Sequence, residues 1–276
     1  MSSYPKLVRA VAAVFSLVLA PAAFAQIYVN GTLSSGPTSD SGAAAPAGAN
    51  WSELQHDTGN LTEANTSAGF SNPTGQFRLA DDFTVPANEN WTLTAINVFD
   101  YKTGAPATPS PFTAATLEIW NGRPGDVGAT VLCGDTTTNV LAASTDTNLF
   151  RLFNSAVPPP GSAVGTTRRI WQNRLTVPAG CAGADFFTGG NTYWISWDTT
   201  DSSAGAHFAP SNVVLGSRSD PGANARQLTV SSSTWADVID AGNPATAPDY
   251  PQDFPFTLEG SISVNNDLIF ADNFEP

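Results

Sequence analysis

The chain is poor in charge, histidine and cysteine, and these shortages exclude several classes of protein. Only 13% of its 276 residues are charged, and Asp and Glu outnumber Lys and Arg by 24 to 11. A net charge of −13 repels a polyanion, and the only adjacent basic pair is Arg168-Arg169. We therefore expect no nucleic-acid partner. The cysteines have no zinc-site spacing, and nothing in the composition indicates a cofactor.

The local motifs of the common enzymes are also absent. The chain contains no G-x-S-x-G, H-E-x-x-H, G-x-G-x-x-G or phosphate-loop motif, although each would be visible as a short pattern. The only histidines are His56 and His207, and we interpret both as solvated or structural. A Ser-His-Asp triad built from distant positions stays an open alternative, because triads are recognised by geometry. We therefore favour a protein that is not an enzyme.

The first 25 residues have the features of a secretory signal peptide. Lys6 and Arg9 give a basic start, residues 10–20 are apolar, and Ala23-Phe24-Ala25 is a small-residue cleavage motif. The apolar run is shorter than the roughly 20 residues that a spanning helix needs, and no later segment is apolar enough to replace it. We predict cleavage before Gln26 and a secreted or cell-surface location, with the periplasm as an alternative.

The two cysteines are candidates for a disulfide. Cys133 and Cys181 both lie beside glycines in turn-like sequence, and export would place them where disulfides form and persist. Closing this loop would stabilise the fold by about 4 kcal/mol on chain-entropy grounds. Two separate thiols are the alternative.

Alternation of apolar and polar residues predicts strands from residue 76 onward. In "QFRLADDFTV" (76–85) and "FPFTLEGSISV" (254–264) every second residue is apolar over much of the segment, which is typical of half-buried strands. Further strands are predicted over residues 91–101, 115–120, 148–153, 168–177, 191–197, 207–215 and 225–230. Within 91–101 the apolar set changes face near Ala95, which indicates a bulge or a strand covered on both sides.

About nine strands without intervening helices predict an all-β fold, an antiparallel β-sandwich in one domain. We expect a jelly-roll-like topology, with a barrel as the alternative. Residues 35–50 are small, polar and aperiodic, as in a flexible linker. The predicted divisions are a signal peptide over 1–25, an N-terminal segment with this linker over 26–69, a sandwich over 70–264 and a tail over 265–276.

Two predicted strands each carry a tryptophan among polar residues. In residues 115–120 the polar row contains Glu118 and Trp120, and in residues 191–198 it contains Trp194 and Asp198. Aromatic faces beside carboxylates suit carbohydrate recognition, since the ring covers C–H surface while the polar groups bond hydroxyls. These four residues are therefore the candidate ligand-binding residues. The alternative is that other parts of the protein bury both rings.

Asp81 is the one carboxylate in an unexpected position. It falls in the apolar row of its strand, where an uncompensated charge is costly. A bulge at Asp81-Asp82 or hydrogen bonds from a neighbouring loop would compensate it. A calcium ligand is a weaker hypothesis because no D-x-D-x-D-G loop accompanies the residue, so no metal is assigned.

Several segments together resemble a poorly characterised group of secreted bacterial β-sandwich domains. They are "LADDFTVPANENWTLTAINVFDY", "LEIWNGRPGD", "GDTTTN", "NTYWISWD" and "PQDFPFTLEGS", in this order within residues 76–260. The resemblance implies an exported surface or extracellular domain and brings no catalytic residues. The ending "DLIFADNFEP" resembles the "IF-x-D-G-F-E" tail of many secreted proteobacterial proteins, with Asn273 where Gly is usual. This tail has an export or recognition role, or is simply a final strand or flexible end.

The sequence therefore favours an exported, non-catalytic β-sandwich module that binds glycan or matrix, with a polysaccharide or a cell-envelope component as its partner. One alternative is a secreted glycosidase-like hydrolase that uses two carboxylates, with Glu118 and Asp198 as its candidates. The other is a purely structural envelope protein.

Overall fold

The computed structural model describes residues 25–157, 163–203 and 205–264. The predicted signal peptide up to residue 24 and the predicted tail over 265–276 lie outside the described residues. Within the described ranges the only helical elements are two short 3₁₀ helices, Ala179–Cys181 and Val230–Ser232. A membrane-crossing helix, long and apolar enough for that purpose, is therefore not found in these ranges.

Strands make up the rest of the regular structure in the described ranges. In chain order they are β1 (Ala25–Asn30), β2 (Asn50–Leu54), β3 (Phe70–Ser71), β4 (Phe77–Thr84), β5 (Glu89–Tyr101), β6 (Phe112–Trp120), β7 (Val131–Asp135), β8 (Leu141–Phe153), β9 (Arg169–Thr176), β10 (Phe187–Thr188), β11 (Thr192–Asp201), β12 (Phe208–Ala209), β13 (Arg226–Thr229), β14 (Thr234–Asp237), β15 (Ile239–Asp240), β16 (Tyr250–Pro251) and β17 (Phe256–Val264).

These strands form two packed sheets and one small ribbon. The larger sheet has the order β1-β17-β5-β9-β8-β2; β10 and β12 also pair with β5, and β3 pairs with β12. The smaller sheet has six strands in the order β14-β13-β4-β11-β6-β7, and β15 pairs with β16. Pairing in both sheets is antiparallel except between β2 and β8. The predicted all-β antiparallel sandwich is confirmed, whereas the jelly-roll topology stays a prediction.

The main core lies between the two sheets and follows from the alternation in the sequence. Leu79 and Phe83 of β4 meet Phe256 and Leu258 of β17 in one cluster, together with Trp197 of β11. All five side chains are at most 1% exposed. Burying such a side chain contributes about 1.5–3 kcal/mol, so the inward rows of these strands hold the sheets together.

The change of face near Ala95 is a bulge. The pairing of β17 with β5 shifts register between Glu259 and Gly260, which lie opposite Ala95 and Leu93. The two chains come so close here that a Cβ on Gly260 would lie 2.0 Å from the Thr92 carbonyl oxygen. Glycine is therefore required at this point of β17, and one of the two predicted explanations is confirmed.

The N-terminal segment differs from the prediction of a flexible linker before the sandwich. β1 pairs with β17, and β2 pairs in parallel with β8. Residues 35–50 run back along β2, where the Ser35 amide donates to the Trp51 carbonyl at 2.8 Å. Trp51 is buried against Phe150. The segment is thus part of the larger sheet, although its pairing partners lie about a hundred residues or more away in sequence and leave no local pattern.

The predicted disulfide between Cys133 and Cys181 is confirmed. Cys133 lies in β7 at the edge of the six-stranded sheet, and Cys181 ends the 3₁₀ helix that follows β9 of the larger sheet. Both cysteines are buried in the main core. The bond therefore joins the edge strand of the six-stranded sheet to the segment that follows β9 of the larger sheet.

Candidate binding site on the outer face of the six-stranded sheet

The four candidate residues lie on one face of two neighbouring strands. β6 and β11 are antiparallel neighbours, and Leu117, Ile119 and Ile195 point from them into the core. On the opposite, outer face the register sets Trp120 against Trp194, Glu118 against Ser196, and Thr116 against Asp198. The structure thus brings together all four side chains that the sequence singled out.

Arg78 of β4 joins the two carboxylates of this face. Its Nη1 lies 2.8 Å from Asp198 Oδ2, and its Nε lies 3.3 Å from Glu118 Oε2. The same guanidinium donates to Thr116 Oγ1 at 2.6 Å and to the Ser196 hydroxyl and carbonyl at 2.9 Å each. Arg78 is 1% exposed. Charge-assisted hydrogen bonds of this kind hold the three strands in register.

Two of the four candidates are not accessible to a ligand. Trp194 is 4% exposed and Asp198 is 3% exposed. The Arg123 guanidinium lies 5.8 Å above the Trp194 ring, in the position of a cation–π contact. Asp198 Oδ1 accepts from Thr74 Oγ1 at 2.7 Å and from Thr116 Oγ1 at 2.9 Å. The expectation that all four residues are exposed to a ligand therefore needs correction. Other protein groups cover Trp194 and Asp198, and these two residues support the face from below.

On this face the accessible aromatic surface is formed by Trp120 and Trp235. Both rings are partly exposed, and they meet edge to face with centroids 6.3 Å apart and planes at 86°. Trp120 Nε1 donates to Ser196 Oγ at 3.0 Å, so its ring lies over the Arg78 network. Trp235 belongs to β14 at the edge of the sheet. We call Trp120 and Trp235 the tryptophan pair.

The loop between β6 and β7 crosses this face and is tied to β13 and β14. Arg123 Nη2 donates to Asp237 Oδ1 at 2.8 Å, and Asp126 accepts from Arg226 Nη1 at 2.9 Å. Gly125 has φ of +93°, and a Cβ at this position would lie 2.8 Å from Trp235 Cβ. Only glycine combines that dihedral with so close an approach, so the loop backbone itself fixes the Trp235 side chain.

Asp81 is buried on the inner side of β4 and is held by hydrogen bonds. Its carboxylate accepts from the Phe254 amide at 2.7 Å, from the Asp82 amide at 2.8 Å and from Asn30 Nδ2 at 3.1 Å. Burial raises the pKa of Asp81 well above its ordinary value, and the charge of Asp253 adds to this. The described residues contain no cluster of three or more His, Cys, Asp or Glu suited to a metal ion. The hydrogen-bond explanation therefore accounts for Asp81.

Both histidines lie away from the tryptophan pair. His56 Nδ1 is 3.2 Å from Asp40 Oδ2. His207 is buried, with Nε2 at 2.8 Å from Thr199 Oγ1 and Nδ1 at 3.0 Å from Asp201 Oδ2. This sequence of contacts has the order of a catalytic triad, but Thr199 is 0% exposed and a substrate has no access to its hydroxyl. The interpretation of His207 as structural agrees with this geometry.

No family model matches this chain, and neither the curated proteins nor the solved structures include a significant match. The resemblance to secreted bacterial β-sandwich domains therefore stays a prediction.

The sequence pattern singles out neither Arg78 nor Trp235 as a site residue. An arginine in the middle of a predicted strand and a tryptophan within "SSSTWADV" were the available signals. Neither signal indicates a contact with Glu118 or Trp120, because these contacts depend on the pairing of strands that are distant in sequence.

Proposed function

We propose that this protein is an exported, non-catalytic β-sandwich module that binds uncharged carbohydrate at the tryptophan pair. The observation that supports this most directly is the partly exposed, edge-to-face arrangement of Trp120 and Trp235 on a rigid sheet. Indole faces cover the C–H surface of a sugar, and a site on strands loses little conformational entropy when it binds.

Polar groups beside the rings favour the same ligand class. Glu118, with its side chain 14% exposed, lies two residues from Trp120 on the same face. Asp237, with its side chain 53% exposed, lies two residues from Trp235. Carboxylate and guanidinium groups at the margin of an aromatic surface offer acceptors and donors to sugar hydroxyls.

The charges of this face are paired with one another, which favours a ligand without charge. Arg123 and Arg226 both contact Asp237, and Arg78 contacts both Glu118 and Asp198. Among the described residues of this face, no excess of cations remains to attract an acidic polysaccharide. The net charge of −13 for the whole chain also opposes such binding.

The hydrolase hypothesis with Glu118 and Asp198 is less well supported by this geometry. A glycosidase needs one carboxyl group to give a proton to the leaving oxygen and the other to reach the sugar or a water. Here both carboxylates contact the Arg78 guanidinium, and both oxygens of Asp198 accept hydrogen bonds from protein groups. These contacts leave Glu118 and Asp198 without the open pair of carboxyl groups that a substrate would need.

Affinity gel electrophoresis tests the proposal directly. The full mature chain is run in gels that contain dextran, galactomannan or hydroxyethyl cellulose, with alginate as the acidic counterpart. We expect retardation by at least one neutral polymer and none by alginate. Trp235→Ala should weaken the binding roughly tenfold, from the loss of one aromatic contact, and should lower the melting temperature by about 4 °C or less.

Two variants serve as controls. Trp235→Phe keeps an aromatic face and should retain most of the binding, whereas Val230→Ala shortens a side chain that is 37% exposed in the same hairpin and should leave the binding unchanged. Absence of retardation by every neutral polymer would overturn the proposal and favour a structural envelope role. Turnover of any of these polymers that is lost in Glu118→Gln would favour the hydrolase.

A further inference from the structure

The tryptophan pair is adjacent to a separate cleft at one end of the sandwich. Asn121 directly follows Trp120, and Thr192 begins β11 two residues before Trp194. Both residues line a cleft of about 370 Å³, which is within the range of small-ligand sites. We call it the end cleft. Its position lets one extended ligand contact the tryptophan pair and the end cleft together.

The apolar surface of the end cleft comes from Phe186, Leu132 and Tyr193. Phe186 is partly exposed and packs against Phe187, with ring centroids 5.0 Å apart. Leu132 is 39% exposed. Tyr193 is held in place because its hydroxyl accepts from the Thr188 amide at 3.0 Å. The cleft therefore has an aromatic and aliphatic surface in which the protein already fixes the Tyr193 ring.

Amides and hydroxyls form the rim. Asn191 Nδ2 donates to Thr188 Oγ1 at 2.9 Å, and Asn121 Oδ1 accepts from the Thr130 amide at 2.7 Å. These bonds fix both side chains, yet within the described ranges Asn191 Oδ1 and Asn121 Nδ2 have no hydrogen-bond partner. One free acceptor and one free donor at the margin of an apolar surface match the hydroxyls and C–H faces of a sugar.

The lining also defines the charge of the ligand. Among the described residues that line the end cleft, none is acidic or basic. An ionic ligand would lose hydration there without gaining an opposite charge, whereas an uncharged polyol loses much less.

We propose that the end cleft is a second subsite for an uncharged sugar unit and that one oligosaccharide extends from the tryptophan pair into it. This inference depends on the proposed carbohydrate binding at the tryptophan pair and adds the length and neutrality of the ligand. The end cleft determines how much tighter a long chain binds than a short one.

Isothermal titration with fragments of the retained polymer tests this subsite. A disaccharide and a hexasaccharide are titrated into the mature chain and into Asn191→Ala, Leu132→Ala and Trp235→Ala. Asn191→Ala and Leu132→Ala should each weaken hexasaccharide binding about fivefold, the effect of one lost contact of about 1 kcal/mol. They should leave disaccharide binding unchanged, whereas Trp235→Ala should weaken the binding of both fragments.

Leu215→Ala is the matched control for Leu132→Ala, because Leu215 is 68% exposed and does not line the end cleft. Melting curves of each variant identify any loss of fold, and Asn121→Asp is a second probe of the rim that preserves the acceptor for Thr130. If Trp235→Ala weakens binding while the end-cleft variants bind the hexasaccharide like the unaltered chain, the subsite is refuted and the proposed function survives. If no neutral polymer binds the unaltered chain, both proposals are refuted.

Discussion

Strand β4 carries two buried charged residues three positions apart, Arg78 on its outer side and Asp81 on its inner side. Arg78 contacts the carboxylates of Glu118 and Asp198. Asp81 instead accepts hydrogen bonds from two backbone amides and from Asn30, and among the described residues its donors are all neutral. The same strand therefore surrounds one buried ionisable group with opposite charges and the other with neutral hydrogen-bond donors.

The buried groups on the two sides of β4 respond differently to pH. Burial raises the pKa of Asp81 well above its usual range. Burial likewise raises the pKa of Asp253, from 3.8 to about 6, with further contributions from the charges of Asp220 and Asp82. On the outer face, by contrast, the guanidinium of Arg78 pairs with the carboxylates of Glu118 and Asp198. We therefore expect the inner carboxylates to make stability depend on pH, and the outer network to make it depend on an intact ion pair.

The largest effect is expected from removal of Arg78. Arg78→Met leaves Glu118 and Asp198 without their cation in a buried setting, and such a loss costs about 3–5 kcal/mol. Urea unfolding at neutral pH measures this change in the free energy of unfolding. Arg174→Ala is the matched control, because Arg174 pairs with Glu259 while its side chain is 33% exposed; about 1 kcal/mol or less is expected there. Equal losses in the two variants would show that the Arg78 network contributes no more than a surface pair.

The alternation in the sequence was sufficient to place Glu118, Trp120, Trp194 and Asp198 on one face, because side-chain direction in a strand depends only on position along it. It did not indicate that Trp194 and Asp198 are covered. Their cover comes from Arg123 and Thr74, which belong to loops. A local pattern identifies the face of a strand but carries no information about the loop that packs on it.

The same limit explains why Asp81 was recognised as unusual while its partners were not. An acidic residue in an apolar row is visible from the strand alone. Its donors Asn30 and Phe254 are 51 and 173 positions away. The parallel pairing of β2 with β8, which the linker prediction missed, also depends on partners distant in sequence.

An intermediate effect is expected from Asp253→Asn. Between pH 4 and 6 the folded chain holds a proton on Asp253 that the unfolded chain has released, so the free energy of unfolding falls as pH rises through this window. The shift from 3.8 to about 6 corresponds to at most about 3 kcal/mol. Asn keeps an acceptor for the Asn224 and Ala225 amides. Urea unfolding at several pH values should therefore show that the variant is more stable above pH 6 and that its free energy of unfolding changes less between pH 4 and 6.

Asp249→Asn is the control for this profile, since Asp249 is exposed and its replacement should leave the slope between pH 4 and 6 unchanged. A profile for Asp253→Asn as steep as that of the unaltered chain would mean that the inner carboxylates do not cause the pH dependence. In that case the two sides of β4 would differ in their contacts but not in how they make stability depend on pH.

The smallest effect is expected from Asn30→Ala, which removes one neutral donor from Asp81. Asn30 Nδ2 lies 3.1 Å from Asp81 Oδ2 and 3.0 Å from the Phe254 carbonyl, so its loss leaves one donor fewer for each oxygen. A lost hydrogen bond of this kind costs about 1–2 kcal/mol, less than the loss of Arg78 because the two amides still bond Asp81. Urea unfolding of Asn30→Ala beside Arg78→Met measures the difference. A loss as large as that of Arg78→Met would show that a single neutral donor contributes as much at Asp81 as the ion pairs contribute at Arg78, and the distinction between the two sides of β4 would then fail.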